Sequence, residues 1–385
     1  MLGNREWQLL PMDVGALLTG LRIMGTGGGG SVEFGRTIIE NDLKHGRTYQ
    51  HVRLGDVPDG AWVASGGIMG SVKVLEQFSP AEIVDRWEER FEPLLALRAL
   101  ENYLGRKIDF VVPFELGGLN TPVIQSLAAR AGIPVIDGDG VGRSAPETQM
   151  TSFIGHGVSV TPMPLADAEG NIILVTEATT PFVPDEIGRF VITRGGGQGA
   201  NAHYPMDGRT ARRAIIPDSI SMALELGRSV NDLQDAKEIA DAVAASLGGQ
   251  IVFSGEVMSL EEQDAMGFLV QNALLEGRGA SRGDTMDVLI KNEFMLATLN
   301  GEVGCVFPDL ILLIDEQGRG VMSADLSIGD QVRVIVAPCH PRLREAVADK
   351  VGRIALGPAR FGRPDLSFSP VEELSTTWGL SWEGR

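Results

Sequence analysis

The chain of 385 residues reads as an α/β fold in two domains, a parallel-sheet domain over 1–165 and a β-rich α+β domain over 166–385. Three observations lead there. Apolar strand-like runs alternate with helical spacing up to residue 140. Three of those runs end in loops that mix glycine with polar residues. From Gln250 to Ala337 the pattern turns almost wholly to strands.

Val14, Leu17, Leu18 and Leu21 follow helical spacing, and Gly25 is a natural stop. Ser31 is placed to cap a second helix, with Glu33 in its first turn and Phe34, Ile38 and Leu43 along one face. The "GTGGGG" of Gly25–Gly30 is therefore a helix–loop–helix connection. "AWVAS" (61–65) reads as a strand running into a loop, "GGIMGS", and "KIDFVVPF" (107–114) as one running into "ELGGLN". Thr121 is read as the cap of a helix with Pro122 at its first position, and Gly132 ends it. "IPVID" (133–137) follows and opens into "GDGVGR". Strand, helix and strand within about 30 residues make a βαβ unit, which implies parallel strands.

"VSVTPMPL" and "NIILVTEA" flank "ADAEG" and read as a hairpin turning at Asp167–Gly170. Helical stretches follow near 218–228 and 232–247. "QIVFSGEV", "TMDVLIKNEFMLATL", "DLILLIDEQGRGVM" and "DQVRVIVA" then supply the strands of the second domain.

The chain carries 33 Lys and Arg against 51 Asp and Glu, a formal charge of −18. So acidic a surface repels phosphate backbones and anionic bilayers, which argues against nucleic acid and membrane partners. The opening segment lacks the basic start and apolar run of a signal peptide, so the expected location is cytoplasmic. Cys305 and Cys339 are the only cysteines, too few for a disulfide framework or an all-cysteine zinc site. The expected partner is a small-molecule substrate, with a homo-oligomer left open.

Gly25, Gly27 and Gly30 satisfy the spacing of a dinucleotide fingerprint. That fingerprint needs a strand before it, and here a helix comes first. No Gly-Lys-Ser/Thr follows, so a P-loop fails too, and no nucleotide cofactor is expected. The bare N–H groups of Gly27, Gly28, Gly29 and Gly30 beside a helix start suit an anion or a substrate; a flexible connection or a close backbone crossing is the plainer reading.

Ligands of parallel sheets bind beyond the carboxyl ends of the strands. The loops there offer Glu115, Gly117, Gly118 and Asn120, then Asp137, Asp139 and Arg143, with Glu147 and Gln149 beyond. Asp137 and Asp139 are candidate bases or oxygen ligands for a divalent metal, zinc or manganese, and equally ordinary turn residues. Arg143 suits a substrate carboxylate or a structural ion pair. His156 and His203, each beside glycines, are candidate bases or metal ligands; no HExxH or CxxC spacing exists, so any metal site joins distant segments. Cys339 and His340 are adjacent, which is poor geometry for a nucleophile and its base.

"GTGGGG", "GGIMGS", "ELGGLN", "PVIDGDGVGRSAPETQM", "NEFMLA" and "PDLILLID" together resemble the S-methyl thiohydantoin desulfurase family, formerly a domain of unknown function and an associate of hydantoin- and oxoproline-cleaving enzymes. The resemblance spans nearly the whole chain and implies the same two-domain division. It further implies a hydrolase that cleaves a carbon–sulfur bond in a five-membered ring by attack of water. Asp139, Asp137, Glu147 and His156 are the expected catalytic groups, with the glycine loop, Glu115, Asn120, Arg143 and Gln149 around the substrate. A ring-opening hydantoinase or oxoprolinase-type enzyme or accessory subunit is one alternative, and a regulatory protein that binds a small anion without turnover is another.

Overall fold

The computed structural model describes residues 6–70, 79–265 and 268–382. A short strand β1 (Glu6–Gln8) leads into helix α1 (Val14–Met24), the glycine loop and helix α2 (Val32–Lys44). Ser31 caps α2 as the sequence reads, its hydroxyl accepting from the N–H groups of Glu33 and Phe34. Strands β2 (Gln50–Arg53) and β3 (Trp62–Gly70) come next, then helices α3 (Pro80–Glu89) and α4 (Glu92–Leu104). Strand β4 (Phe110–Pro113), helix α5 (Asn120–Ala131) and strand β5 (Val135–Asp139) form the expected βαβ unit. Thr121 lies inside α5 and not at its cap: Leu119 is the cap residue, and the Thr121 hydroxyl accepts from the Gly117 N–H at 3.2 Å.

The chain continues through α6 (Ser152–Gly155), the hairpin β6 (Met163–Asp167) and β7 (Ile172–Val175), α7 (Val183–Arg194), β8 (Gln198–Asp207), α8 (Gly208–Ala214) and β9 (Ile216–Pro217). These strands assemble one sheet in the order β1-β2-β5-β4-β3-β8-β6-β7, with β9 joined to the end of β5. Its centre, β2-β5-β4-β3, is parallel, and the flanking strands are antiparallel. The first sheet therefore runs past the boundary read at 165 and takes its strands up to Pro217. "GGIMG" is strand as well, paired with β8 from Gly66↔Ala202 to Gly70↔Gln198; Ser71 lies outside the described residues. Glycine gives no side-chain period to read, and here the backbone ladder alone specifies the pairing.

Helices α9 (Ser219–Val230) and α10 (Ala236–Leu247) lead to the second sheet: β10 (Gln250–Ala265), β11 (Phe268–Gly277), β12 (Thr285–Lys291), β13 (Glu293–Leu299), β14 (Glu302–Val306), β15 (Leu310–Asp315) and β16 (Gln331–Ala337). It is antiparallel throughout, in the order β14-β13-β12-β11-β10-β16-β15. Helices α11 (Pro341–Ala348), α12 (Lys350–Leu356) and α13 (Val371–Leu374) complete the described chain. One apolar core covers a face of the first sheet and joins α1, α5 and α9 to β13, β15 and β16; separate clusters fill the sheet's other face and the inside of the second sheet. Among the described residues no helix is long and apolar enough to cross a membrane.

Candidate active site

The loops at the carboxyl ends of β4 and β5 meet each other and the glycine loop. The Gly140 N–H donates to the Phe114 carbonyl at 3.0 Å, and the Leu116 N–H donates to the Arg143 carbonyl at 3.2 Å. The Ser144 hydroxyl reaches the Gly25 carbonyl at 3.3 Å, and the Leu119 N–H donates to the Gly29 carbonyl at 3.0 Å. The second sheet seals the other side of the glycine loop. Gly27 donates to the Val321 carbonyl at 2.8 Å and its own carbonyl accepts from the Ser323 N–H at 2.9 Å.

Close approach explains the glycines. Gly27, Gly29 and Gly30 have φ of 92°, 75° and 79°, where side chains are strained. A Cβ on Gly29 would lie 2.7 Å from the Gly117 Cα, and one on Gly117 would lie 2.3 Å from the Gly29 carbonyl oxygen. Gly118 is pressed on Val32 in the same way. At Gly28 the neighbour is a side chain: a Cβ there would fall 1.7 Å from Glu293 Oε1. Among the described residues no acceptor sits in hydrogen-bond geometry to the N–H of Gly29 or Gly30.

Three carboxyl groups are buried where these segments join. Glu115 is 2% exposed, Asp139 0% and Glu293, the first residue of β13, 3%. Burial drives Glu115 well above the carboxylate range, and the neighbouring Glu293 and Asp139 raise it further; the Ala145 N–H and the Asn120 amide donate to it and oppose the rise. Burial pushes Asp139 up to about 7, against the N–H groups of Val141 and Gly142, which donate to Oδ2 at 2.9 and 2.7 Å. Burial likewise lifts Glu293 to about 8, with Arg143 opposing. Glu293 Oε2 has no hydrogen-bond partner among the described residues, and Asp139 Oδ1 faces the Ser219 hydroxyl, which lowers its proton affinity without reaching full hydrogen-bond geometry. Buried polar atoms are rarely left so, and Glu293 Oε2 beside Glu115 marks a place for water or a ligand.

The other expected residues separate from this group. Asp137 Oδ2 accepts from the Trp7 indole at 3.2 Å and Oδ1 from the Ser221 N–H at 3.0 Å, on the α9 side of β5. Arg143 is buried and spends its guanidinium on three carbonyls, those of Ser144, Asp309 and Phe294, at 3.1, 2.8 and 2.8 Å. Glu147 pairs with Lys291 at 2.5 Å and with Arg360, and accepts from the Gln149 amide at 2.6 Å. His156 packs towards α11, its Nδ1 on the Ser152 carbonyl at 2.8 Å and its Nε2 3.4 Å from Glu345. His203 is fully buried on β8 against Phe114 and Tyr204.

Among the described residues no group of three or more His, Cys, Asp or Glu side chains is arranged to hold a metal ion, and His156, His203 and Asp139 lie in three different settings. Burial raises both thiols well above their ordinary range, the Cys339 N–H being tied to Asp309 at 2.8 Å. The concavities at Ile154–Thr161 with Ala178–Pro181, about 260 Å³ in volume, and around Arg98–Pro134 do not include the acid cluster.

Glu293 escapes a sequence reading because it stands more than a hundred residues from the loops it joins. The signal present was a charged residue inside the apolar run "VLIKNEFMLATL", preceded by Asn292 at φ 56°. That bend between β12 and β13 aims the carboxyl at Gly28.

Comparison with known proteins adds the following. The chain is similar to a protein from Chromobacterium violaceum known from an X-ray crystal structure, at 24% identity and a TM-score of 0.75, over 95% of this chain and 100% of that one. Comparison with the curated proteins returns no match. Residues 12–177 match the description S-Me-THD-like, N-terminal domain, and residues 180–371 match S-Me-THD-like, C-terminal domain. Both halves of the acid cluster fall inside those spans, Glu115 and Asp139 in the first and Glu293 in the second, and the chain belongs to the S-Me-THD-like family.

Proposed function

We propose that the protein is a hydrolase acting on a small five-membered cyclic amide or thiohydantoin-like ring, cleaving a C–S bond, or the related C–N bond, by attack of water. The observation that carries this reading is the buried trio Glu115, Asp139 and Glu293, with Glu293 Oε2 unpartnered and Asp139 Oδ1 facing only the Ser219 hydroxyl. Two carboxyls with separated proton affinities suit paired acid–base work.

Asp139, fixed through Oδ2, takes a proton on Oδ1 from a water that attacks the ring carbon bearing sulfur. Glu293, still protonated at neutral pH, gives its proton to the adjacent ring nitrogen, so charge does not build there. Collapse of the tetrahedral intermediate breaks the C–S bond. The C–OH proton returns to Glu293, the Asp139 proton goes to the departing thiolate, and the ring keeps a carbonyl. Atoms and protons balance as methylthio-ring plus water giving cyclic amide plus methanethiol. Glu115 holds the 115 and 145 loops together through the Ala145 N–H. The N–H groups of Gly29 and Gly30 are donors for a ring oxygen or an acidic tail. No step passes through a metal.

The test is incubation of the purified protein with S-methyl thiohydantoin, following free thiol with a chromogenic reagent and the ring by chromatography. Thiol and hydantoin in equal amounts are expected. A ring-opened product without thiol selects C–N cleavage, and tight binding with neither product selects a binding protein.

A further inference from the structure

A second set of unpartnered polar atoms lies on β8 beside Phe114. Phe114 precedes Glu115 and Gly140 follows Asp139; a Cβ on Gly140 would lie 2.7 Å from the Phe114 carbonyl oxygen and 2.9 Å from the Phe153 ring. Around Phe114 stand Asn201 and His203, at 2% and 0% exposure. Both ring nitrogens of His203 and Oδ1 of Asn201 have no hydrogen-bond partner among the described residues. The His203 ring meets Phe114 edge-on at 5.9 Å and Tyr204 at 5.0 Å. Asn201 and His203 alternate onto one face of β8, and a Cβ on Gly67 opposite would meet both Phe114, at 2.9 Å, and Asn201 Oδ1, at 4.0 Å.

The backbone is specialised at the same point. Val63 pairs with Met206 and Ser65 with His203, so β8 carries one extra residue there, a bulge, and Tyr204 takes a φ of 52°. Bulges and positive φ at a bulky residue cost free energy and recur where a side chain must be re-aimed at a site. Burial keeps the His203 ring neutral, pushing it down to about 3, so it offers one N–H and one lone pair.

The geometry points to His203 and Asn201 as recognition residues that read the uncharged N–H and C=O edge of a cyclic amide, across Phe114 from the acid cluster. This rests on the reading of that cluster as a site for such a ring. An amide edge presents a donor and an acceptor side by side, which complements a neutral imidazole and a carboxamide oxygen. A carboxylate or an ammonium group would satisfy only half of them.

Calorimetric titration with hydantoin, together with melting temperature, tests the assignment in wild type, His203→Phe and His203→Gln. His203→Phe removes two unpartnered polar atoms from a buried place, so the melting temperature should hold or rise, while hydantoin affinity falls at least about tenfold. His203→Gln, which keeps a donor and an acceptor, should recover most of that loss. Affinity unchanged in His203→Phe, or Gln no better than Phe, overturns the assignment. Should His203→Phe fail to fold, Asn201→Leu is read by the same two measurements, with the same outcomes deciding. A wild-type protein that neither binds hydantoin nor releases thiol defeats the underlying function instead; binding that survives in the variants defeats only this inference.

Discussion

Asp139 and Glu293 differ by little in chemistry and by much in surroundings. Two N–H donors hold Asp139 at about 7, whereas burial leaves Glu293 at about 8 in spite of Arg143. A base that ionises near 7 and an acid that keeps its proton to near 8 give a bell-shaped pH dependence of turnover peaking between those values. Asp139→Asn should lower turnover by roughly 10²–10⁴-fold, the usual worth of such a group, and erase the acid limb. A fully active Asp139→Asn protein would remove this residue from the mechanism. The same values govern stability. A carboxyl raised in the folded state stabilises fully below its ordinary value and loses that contribution as pH rises through the folded value. For Asp139 the window runs from 3.8 to about 7, and for Glu293 from 4.5 to about 8. His51 and His203, both pushed to about 3 by burial, act in the opposite sense, costing stability as pH falls below 6.5. Above 6.5 the raised carboxyls dominate the pH dependence, so unfolding free energy should fall towards pH 8, by up to roughly 2 kcal/mol from Glu293. Urea midpoints at the two ends of that range check it, and Glu293→Gln should flatten the fall.

The glycine loop shows how two glycines of one element differ in what they protect. Gly117→Ala must force apart two backbones, since its Cβ would lie 2.4 Å from the Gly29 Cα and neither can rotate away. Overpacking of this kind costs about 1–3 kcal/mol, and more where no side chain can yield, so the melting temperature should fall. Gly28→Ala meets the side chain of Glu293 rather than backbone, and a side chain can shift where a backbone cannot, so the fold should persist while turnover collapses. Equal stability losses in the two variants would sink that distinction. How far the sequence reveals this region follows from the same physics. The Ser31 cap, the βαβ rhythm and the hairpin at Asp167–Gly170 are written in local spacing and stand where that spacing puts them, whereas the cap read at Thr121 falls inside its helix. The pairing of β3 with β8 is carried by backbone hydrogen bonds between glycine-rich segments, so it leaves no side-chain pattern. Among the site acids, Glu115 and Asp139 stand at strand ends and are visible there. Glu293 becomes a neighbour only when the second sheet folds onto the glycine loop.

At the scale of the whole molecule the acid cluster exists only because the two sheets are tied together, and Arg143 is the central tie. It leaves the loop after β5 and donates to the carbonyls of Phe294 and Asp309, both in the second sheet's segments, while its charge steadies Glu293. Lys291 and Arg360 bind Glu147 across the same junction. The sequence offers Arg143 as a partner for a substrate carboxylate, and the two roles make different predictions. As a tie, Arg143→Met leaves buried carbonyls without donors, which costs about 1–3 kcal/mol for each such group. It also withdraws the positive charge that holds Glu293 down, so the alkaline limb of the pH–rate profile should move upward. A substrate tail partner would instead raise KM for a ring bearing a carboxylate, spare the unsubstituted ring, and leave the melting temperature alone. Comparing those two rings in Arg143→Met, with unfolding measured alongside, separates the cases. The contacts favour the first outcome, because each of the three nitrogens of this guanidinium already donates to a backbone carbonyl of the protein.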